Sequence, residues 1–163
     1  MIHRSGVAKR ALSITNVLPI VLAGVTGTAH AADNQLKIRN NFLKFERTIA
    51  YLAKVESYRF PETIAVKEVD DSNYKVDNRP ASAGTGYIKE SDLFLVVIPI
   101  HTLKNFTTAQ LQFLAAHELC HGIVHNARLK RGEMINKRDD LEADYCAVEL
   151  LSRYRPEVKA IWR

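Results

Sequence analysis

Apolar residues recur at three- and four-residue intervals in three stretches of the chain and at closer spacing in two others. Leu36, Ile38, Phe42, Phe45, Ile49, Leu52 and Ala53, separated by charged residues, predict a long first helix over residues 34–56. The Phe60-Pro61 pair ends it, because the residue before a proline is pushed out of the helical region. Residues 63–69 alternate apolar and polar like a half-buried strand, and residues 70–80 are polar turn material. Residues 83–99 then read as a hairpin, with Tyr87 and Ile88 on the first arm, Glu90-Ser91-Asp92 at the turn, and a nearly continuous apolar strand from Leu93 to Ile98.

Helical spacing resumes at Leu111, Leu114, Ala115 and Leu119, within residues 106–126. Thr107 and Gln110 make a capping box ahead of that run, and Phe106 is placed to pack on Leu111. A basic connection over residues 127–137 leads to a second helical run, 138–154, where Ala143, Ala147, Val148 and Leu151 mark the packed side. Pro156 stops it and leaves a short amphipathic tail whose Trp162 is expected to cap the core. With no repeat and no long linker, the pattern predicts one α+β domain: an N-terminal helix, a short, mostly antiparallel sheet and two C-terminal helices.

The first residues have a different character. Arg4, Lys9 and Arg10 precede a mostly apolar run over residues 11–25, and Ala29-His30-Ala31 offers small residues for cleavage. The run is shorter than the ~20 residues that span a bilayer and contains Ser13, Thr15, Asn16 and Pro19, so a cleaved signal over residues 1–31 is expected rather than an anchor. The domain would then be residues 32–163, in the periplasm or secreted, without stable membrane insertion. Three basic residues and no acid precede Ala32, so the net charge of +5 falls to +2, which is not a nucleic-acid footprint. Arg128, Lys130, Arg131, Lys137 and Arg138 remain as a local cluster, either solvated loop or a partner-binding feature.

The 106–126 helix carries the candidate chemistry. His117-Glu118-Leu119-Cys120-His121 puts two imidazoles at i and i+4, on one face, where both reach a single ion. Glu118 lies next round the helix, where it can touch a water at that ion. This is the H-E-x-x-H pattern of zinc hydrolases, and it turns the expected α+β domain into a zincin-like one binding one zinc per chain. The alternative is a structural histidine pair that satisfies itself. Hydrolytic zinc takes three protein ligands, and the following helix offers Asp139, Asp140, Glu142 and Asp144. On a helical wheel Asp140 and Asp144 fall within the packed side and Glu142 beside Glu149 and Arg153. Asp140 is therefore the expected third ligand, Asp144 the acceptor for the other ring nitrogen of His117, and Glu142 the fallback. Val124 and Ala127 stand where a metzincin would have glycine and a third histidine. His125, at i+8, is read as a core or rim residue. Cys120 and Cys146 fall on these two helices, either as a disulfide joining them or as two buried thiols.

The stretch from Asn78 to Ile88 that includes Gly84, Gly86 and Tyr87, then Leu93 to Pro99, the pentad, and Leu141-Glu142-Ala143-Asp144 together resemble the gluzincin peptidases of the CAAX-prenyl-protease and heat-shock-membrane-protease type. That resemblance implies a glycine-containing edge strand (Gly84, Gly86, Tyr87) holding extended substrate, and a third ligand at Asp140 with Asp144 as its partner. The family carries Glu where this chain has Asp140. The implied activity is hydrolysis of peptide bonds in extended or unfolded polypeptide, with Glu118 as general base and Tyr145, His125 or Arg128 as donors to the oxyanion. A zinc-stabilised binding or inhibitor-like module without turnover is the alternative.

Overall fold

A computed structural model describes residues 28–60, 62–71, 75–76 and 79–163. Its elements are α1 (Thr28–Val55), β1 (Thr63–Val69), β2 (Lys75–Val76), β3 (Arg79–Pro80), β4 (Gly84–Ile88), β5 (Leu93–Pro99), α2 (Ile100–Asn105), α3 (Thr108–Lys130), α4 (Lys137–Arg153) and α5 (Arg155–Ile161). The α+β class is as expected. Of the expected export signal, residues 1–27 lie outside the described residues and 28–31 belong to α1, as Pro61 and Asn78 also lie outside them. Among the described residues no helix is long and apolar enough to cross a membrane.

Helix α1 starts earlier than its apolar pattern, and Leu36 is 58% exposed, so the buried stripe begins further along. Phe45, Thr48, Ile49, Leu52 and Glu56 form that stripe at three- and four-residue steps. It is tied down by polar contacts as well as apolar ones. Asn41 Nδ2 donates to the main-chain oxygen of Leu103 at 2.7 Å, and Trp162 Nε1 donates to Thr48 Oγ1 at 2.8 Å. Trp162, 7% exposed, thus closes the core over α1. The buried Glu56 carboxylate accepts from Arg153 at 3.1 Å and from the Tyr154 hydroxyl at 2.9 Å, offsetting its desolvation.

The sheet has the order β1-β5-β4. β4 and β5 form the antiparallel hairpin, pairing Gly86 with Leu95 and Tyr87 with Phe94, through a 3-10 turn that ends at Asp92 in the left-handed region (φ 48°). β1 pairs with β5 in parallel, so this sheet is mixed, while the residues read as turn material contribute the antiparallel β2–β3 ladder. The continuous apolar character of β5 follows from its central place: Phe94, Val96 and Ile98 are fully buried on one face and Leu93, Leu95 and Val97 half-buried on the other. The hairpin leaves β4 at the rim of the sheet, with one side unpaired among the described residues.

Helix α3 opens with the expected capping box, Gln110 N–H to Thr107 Oγ1 and Thr107 N–H to Gln110 Oε1. It runs four residues past Asn126 to Lys130, with a non-helical kink at His125 (φ −110°, ψ 16°). Arg128 and Lys130 in the last turn favour that extension through the helix dipole, and Gly132, at φ +74°, turns the chain out of it. Midway, a Cβ on Gly122 would sit 2.7 Å from Phe60 Cε2, so the missing side chain lets α3 lie against the Phe60–Phe94 pair. Helix α4 carries an unforeseen capping box, in which Asn136 accepts from the Arg138 and Asp139 N–H groups and Asp139 accepts from Asn136 N–H. Its buried face is Asp139, Ala143, Cys146, Ala147 and Leu150, whereas Val148 is 56% exposed, which rotates the packed side away from that expected. Cys120 and Cys146 form a disulfide that joins α3 to α4.

Candidate metal centre

The close approach of α3 and α4 brings three donors together. His117, His121 and Asp140 each offer one ligand atom, all within 4.8 Å of one another. The two imidazoles come from successive turns of α3, and their Nε2 atoms are 3.0 Å apart. Asp140, on the first turn of α4, places Oδ1 3.5 Å from His121 Nε2. Small Ala143 and disulfide-bonded Cys146 on the facing side of α4 allow the helices this proximity.

Protonation fits the donor set to a cation. His117 Nδ1 lies 2.8 Å from Asp144 Oδ1, a carboxylate that only accepts, so the ring hydrogen belongs on Nδ1 and the Nε2 lone pair is left facing the cluster. His121 is 4% exposed and its pKa is pushed down to about 3, by burial first and then by the neighbouring His117 and His125, against the opposite pull of Asp139. A neutral ring is the form a metal requires. A tetrahedral zinc with nitrogens ~2.0–2.1 Å away would set them roughly 3.3 Å apart, a few tenths of an ångström from the observed spacing. His121 turns Nε2 toward His117 and Asp140, and its other ring nitrogen, Nδ1, is buried without a hydrogen-bond partner. No lysine or arginine pairs with Asp140 among the described residues; its carboxylate lies 3.5 Å from the neutral His121 ring.

Glu118 is 4% exposed, and its carboxyl is raised to about 7 by burial and, to a lesser degree, by the negative charge of Asp140, while a hydrogen bond from Thr85 pulls the other way. Thr85 Oγ1, on β4, is 2.8 Å from Glu118 Oε2. His117, Glu118, His121 and Asp140 share an open cavity of about 670 Å³ with residues 81–87, Leu114, Leu129 and the connection Gly132 to Ile135. Gly84, Gly86 and Tyr87 therefore line the same space as the histidines. A Cβ added to Gly86 would meet nothing within 4 Å. Tyr87 donates to Asp92 Oδ1 at 2.6 Å.

Glu142 is not brought to His117 and His121. It falls in a second group with His125 and Asp139, and it pairs with Arg138 at 3.4 Å. The three expected oxyanion donors do not line the cavity either. Tyr145 is 78% exposed, His125 Nε2 is held 3.1 Å from the main-chain oxygen of Asp139, and Arg128 is engaged with Glu133 and Asp139. Of the basic cluster, Arg128, Lys130, Arg131 and Arg138 are all in ion pairs within the chain, Lys130 with Glu62 at 2.8 Å. Thr85 had no local signal, since its contact with Glu118 depends on how β4 crosses α3. The Asn136–Asp139 box did have one, a capping residue followed three positions on by an acid.

Compared with known proteins, the chain matches no family model, no curated protein and no solved structure. Function has to be read from the site.

Proposed function

We propose that this chain is an exported, zinc-dependent metallopeptidase that hydrolyses peptide bonds in extended or unfolded polypeptide. One observation carries it: His117, His121 and Asp140 converge beside the buried Glu118, in one cavity that the edge strand β4 also lines. His117, His121 and Asp140 would hold the ion, which when bound would supply Lewis acidity to the scissile carbonyl and to water. The unpaired N–H and C=O groups of β4 would hold substrate as an added strand, and the open space at Gly86 would leave room for it. Glu118 would take the proton of the attacking water and deliver it to the leaving amine, a role suited to a carboxyl whose pKa lies near neutrality. The gluzincin resemblance agrees with these roles, and the Cys120–Cys146 disulfide agrees with an oxidising compartment.

Zinc-dependent cleavage of unfolded casein by the purified protein is the test, with a loss of ~10²-fold or more in Glu118→Gln at unchanged zinc content. A second reading is favoured by Asp140, whose side chain is 55% exposed and a methylene shorter than the glutamate of the gluzincins. On that reading zinc stabilises a binding module without turnover. One zinc per chain and no cleavage of casein or of any peptide library would leave that reading standing and remove the first.

A further inference from the structure

In the Gly84-Thr85-Gly86 stretch of β4 a single residue carries a side chain beyond hydrogen, and that side chain lies against Glu118. Thr85 Oγ1 is 2.8 Å from Glu118 Oε2 and 2.9 Å from the Glu118 main-chain oxygen. Among the described residues this is the hydrogen bond that the Glu118 side chain makes. A β-branched residue in a strand has a restricted χ1, so the oxygen is fixed while its hydrogen is free to turn.

We propose that Thr85 is a positioning residue for Glu118, a hydroxyl donor that keeps the carboxyl group in place both before and after it accepts a proton. This rests on the peptidase reading of the site. The two distances describe one hydrogen between two acceptors. While Glu118 is ionised, the Thr85 O–H donates to Oε2. The proton taken from water goes to Oε1, the oxygen that Thr85 does not hold, from which it can pass to the leaving amine, while Oε2, then the carbonyl oxygen of the acid, still accepts from the Thr85 hydroxyl. Thr85 neither gains nor loses a proton, and Glu118 keeps a partner in both states. An apolar side chain of the same shape would leave the protonated and ionised carboxyl equally unheld. Because Thr85 sits on the strand that would pair with substrate, strand addition and the position of the base act through one residue.

Thr85→Val and Thr85→Ser in the full chain test this, with three measurements on each: zinc content, kcat and KM on a fluorescence-quenched casein peptide, and the infrared band of the Glu118 carboxyl in metal-free protein. The band is identified as the one lost in Glu118→Gln. Thr85→Val is expected to lower kcat about tenfold to a hundredfold with KM and zinc content unchanged, and to move the band. Thr85→Ser, which keeps the hydroxyl, is expected to restore most of kcat and the original band. A kcat in Thr85→Val equal to wild type, an unmoved band, or a loss in Thr85→Ser as deep as in Thr85→Val would overturn the proposal. Should the wild type cleave nothing, the peptidase reading falls while the band still decides whether Thr85 holds Glu118. Thr85→Ala serves the same comparison if the valine variant does not fold.

Discussion

Helices α3 and α4 bring together two sets of three possible metal donors, one turn apart, and the two are chemically unlike. His117, His121 and Asp140 face the cavity beside β4; His125, Asp139 and Glu142 lie one turn further along. In the second set the donors are already spent. Asp139 accepts from Asn136 N–H in the α4 capping box and is bridged to Arg128, His125 Nε2 is held by a main-chain oxygen, and Glu142 pairs with Arg138. Arg128 and Arg138 thus already neutralise both carboxylates of this set. In the first set no cationic side chain intrudes among the described residues, and the His117 lone pair is aimed inward by Asp144. The sets thus differ in their donors, two imidazoles and one carboxylate against one imidazole and two carboxylates, and in whether cationic side chains already hold the carboxylates. A structural cluster neutralises its own carboxylates with cations; the first set holds a carboxylate and two imidazoles with no lysine or arginine paired to them among the described residues.

The largest expected effect separates the sets outright. His121→Ala should retain no zinc after dialysis, whereas His125→Ala should keep one ion per chain; loss of the ion in both, by elemental analysis, would erase the distinction. Next comes Glu118, whose carboxyl is near 7 in the folded chain against 4.5 in the unfolded one. Between those values the folded protein keeps a proton that the unfolded chain has released, so the stabilisation is full below pH 4.5 and is lost as pH rises through 7. Glu118→Gln should therefore stabilise the metal-free protein at pH 8 by as much as about 3 kcal/mol and have little effect at pH 4.5. Denaturant unfolding at the two pH values checks it, and a variant no more stable than wild type at pH 8 would refute the burial cost.

A smaller effect concerns the groups behind the ligands. Asp144→Asn should weaken zinc binding roughly 10–100-fold by competition with a chelator, because the acceptor that orients His117 loses its charge. Unchanged affinity would mean that the 2.8 Å contact to His117 has no bearing on the ion. His125 offers no counterpart, since its partner is a backbone carbonyl. The smallest effect reverses the roles of adjacent aspartates. Asp139→Ala should cost about 1–2 kcal/mol of stability, through the lost cap and the lost contact with Arg128, with zinc retained. Asp140→Ala, at an exposed position, should change stability by less than about 0.5 kcal/mol while zinc affinity falls. Equal stability losses in the two, measured by thermal unfolding without metal, would count against the contrast.

The parts of this arrangement that were legible beforehand are those set by neighbours in sequence. The α3 capping box, the shared face of His117 and His121, and the β4–β5 hairpin all depend on residues a few positions apart, where helix and strand periods fix the geometry. Asp140 was found by the same period, although the packed face of α4 proved to be centred on Asp139, Ala143 and Cys146 with Val148 outside. A helical wheel gives relative angles along one helix, and only the partner helix decides which angle points inward.

By itself, then, the sequence determined the periodic elements, their caps and the ligand spacing within one helix, because backbone periodicity and hydrogen-bond rings are local. The tertiary structure decided the parallel pairing of β1 with β5, the contact of Thr85 with Glu118 across 33 residues, the commitment of Asp139 to Arg128 and the bridging of Cys120 to Cys146. Each of those joins groups that no local period relates. Which donors stay free for a metal is settled by what else comes within hydrogen-bond reach, and that exists only once the helices have packed.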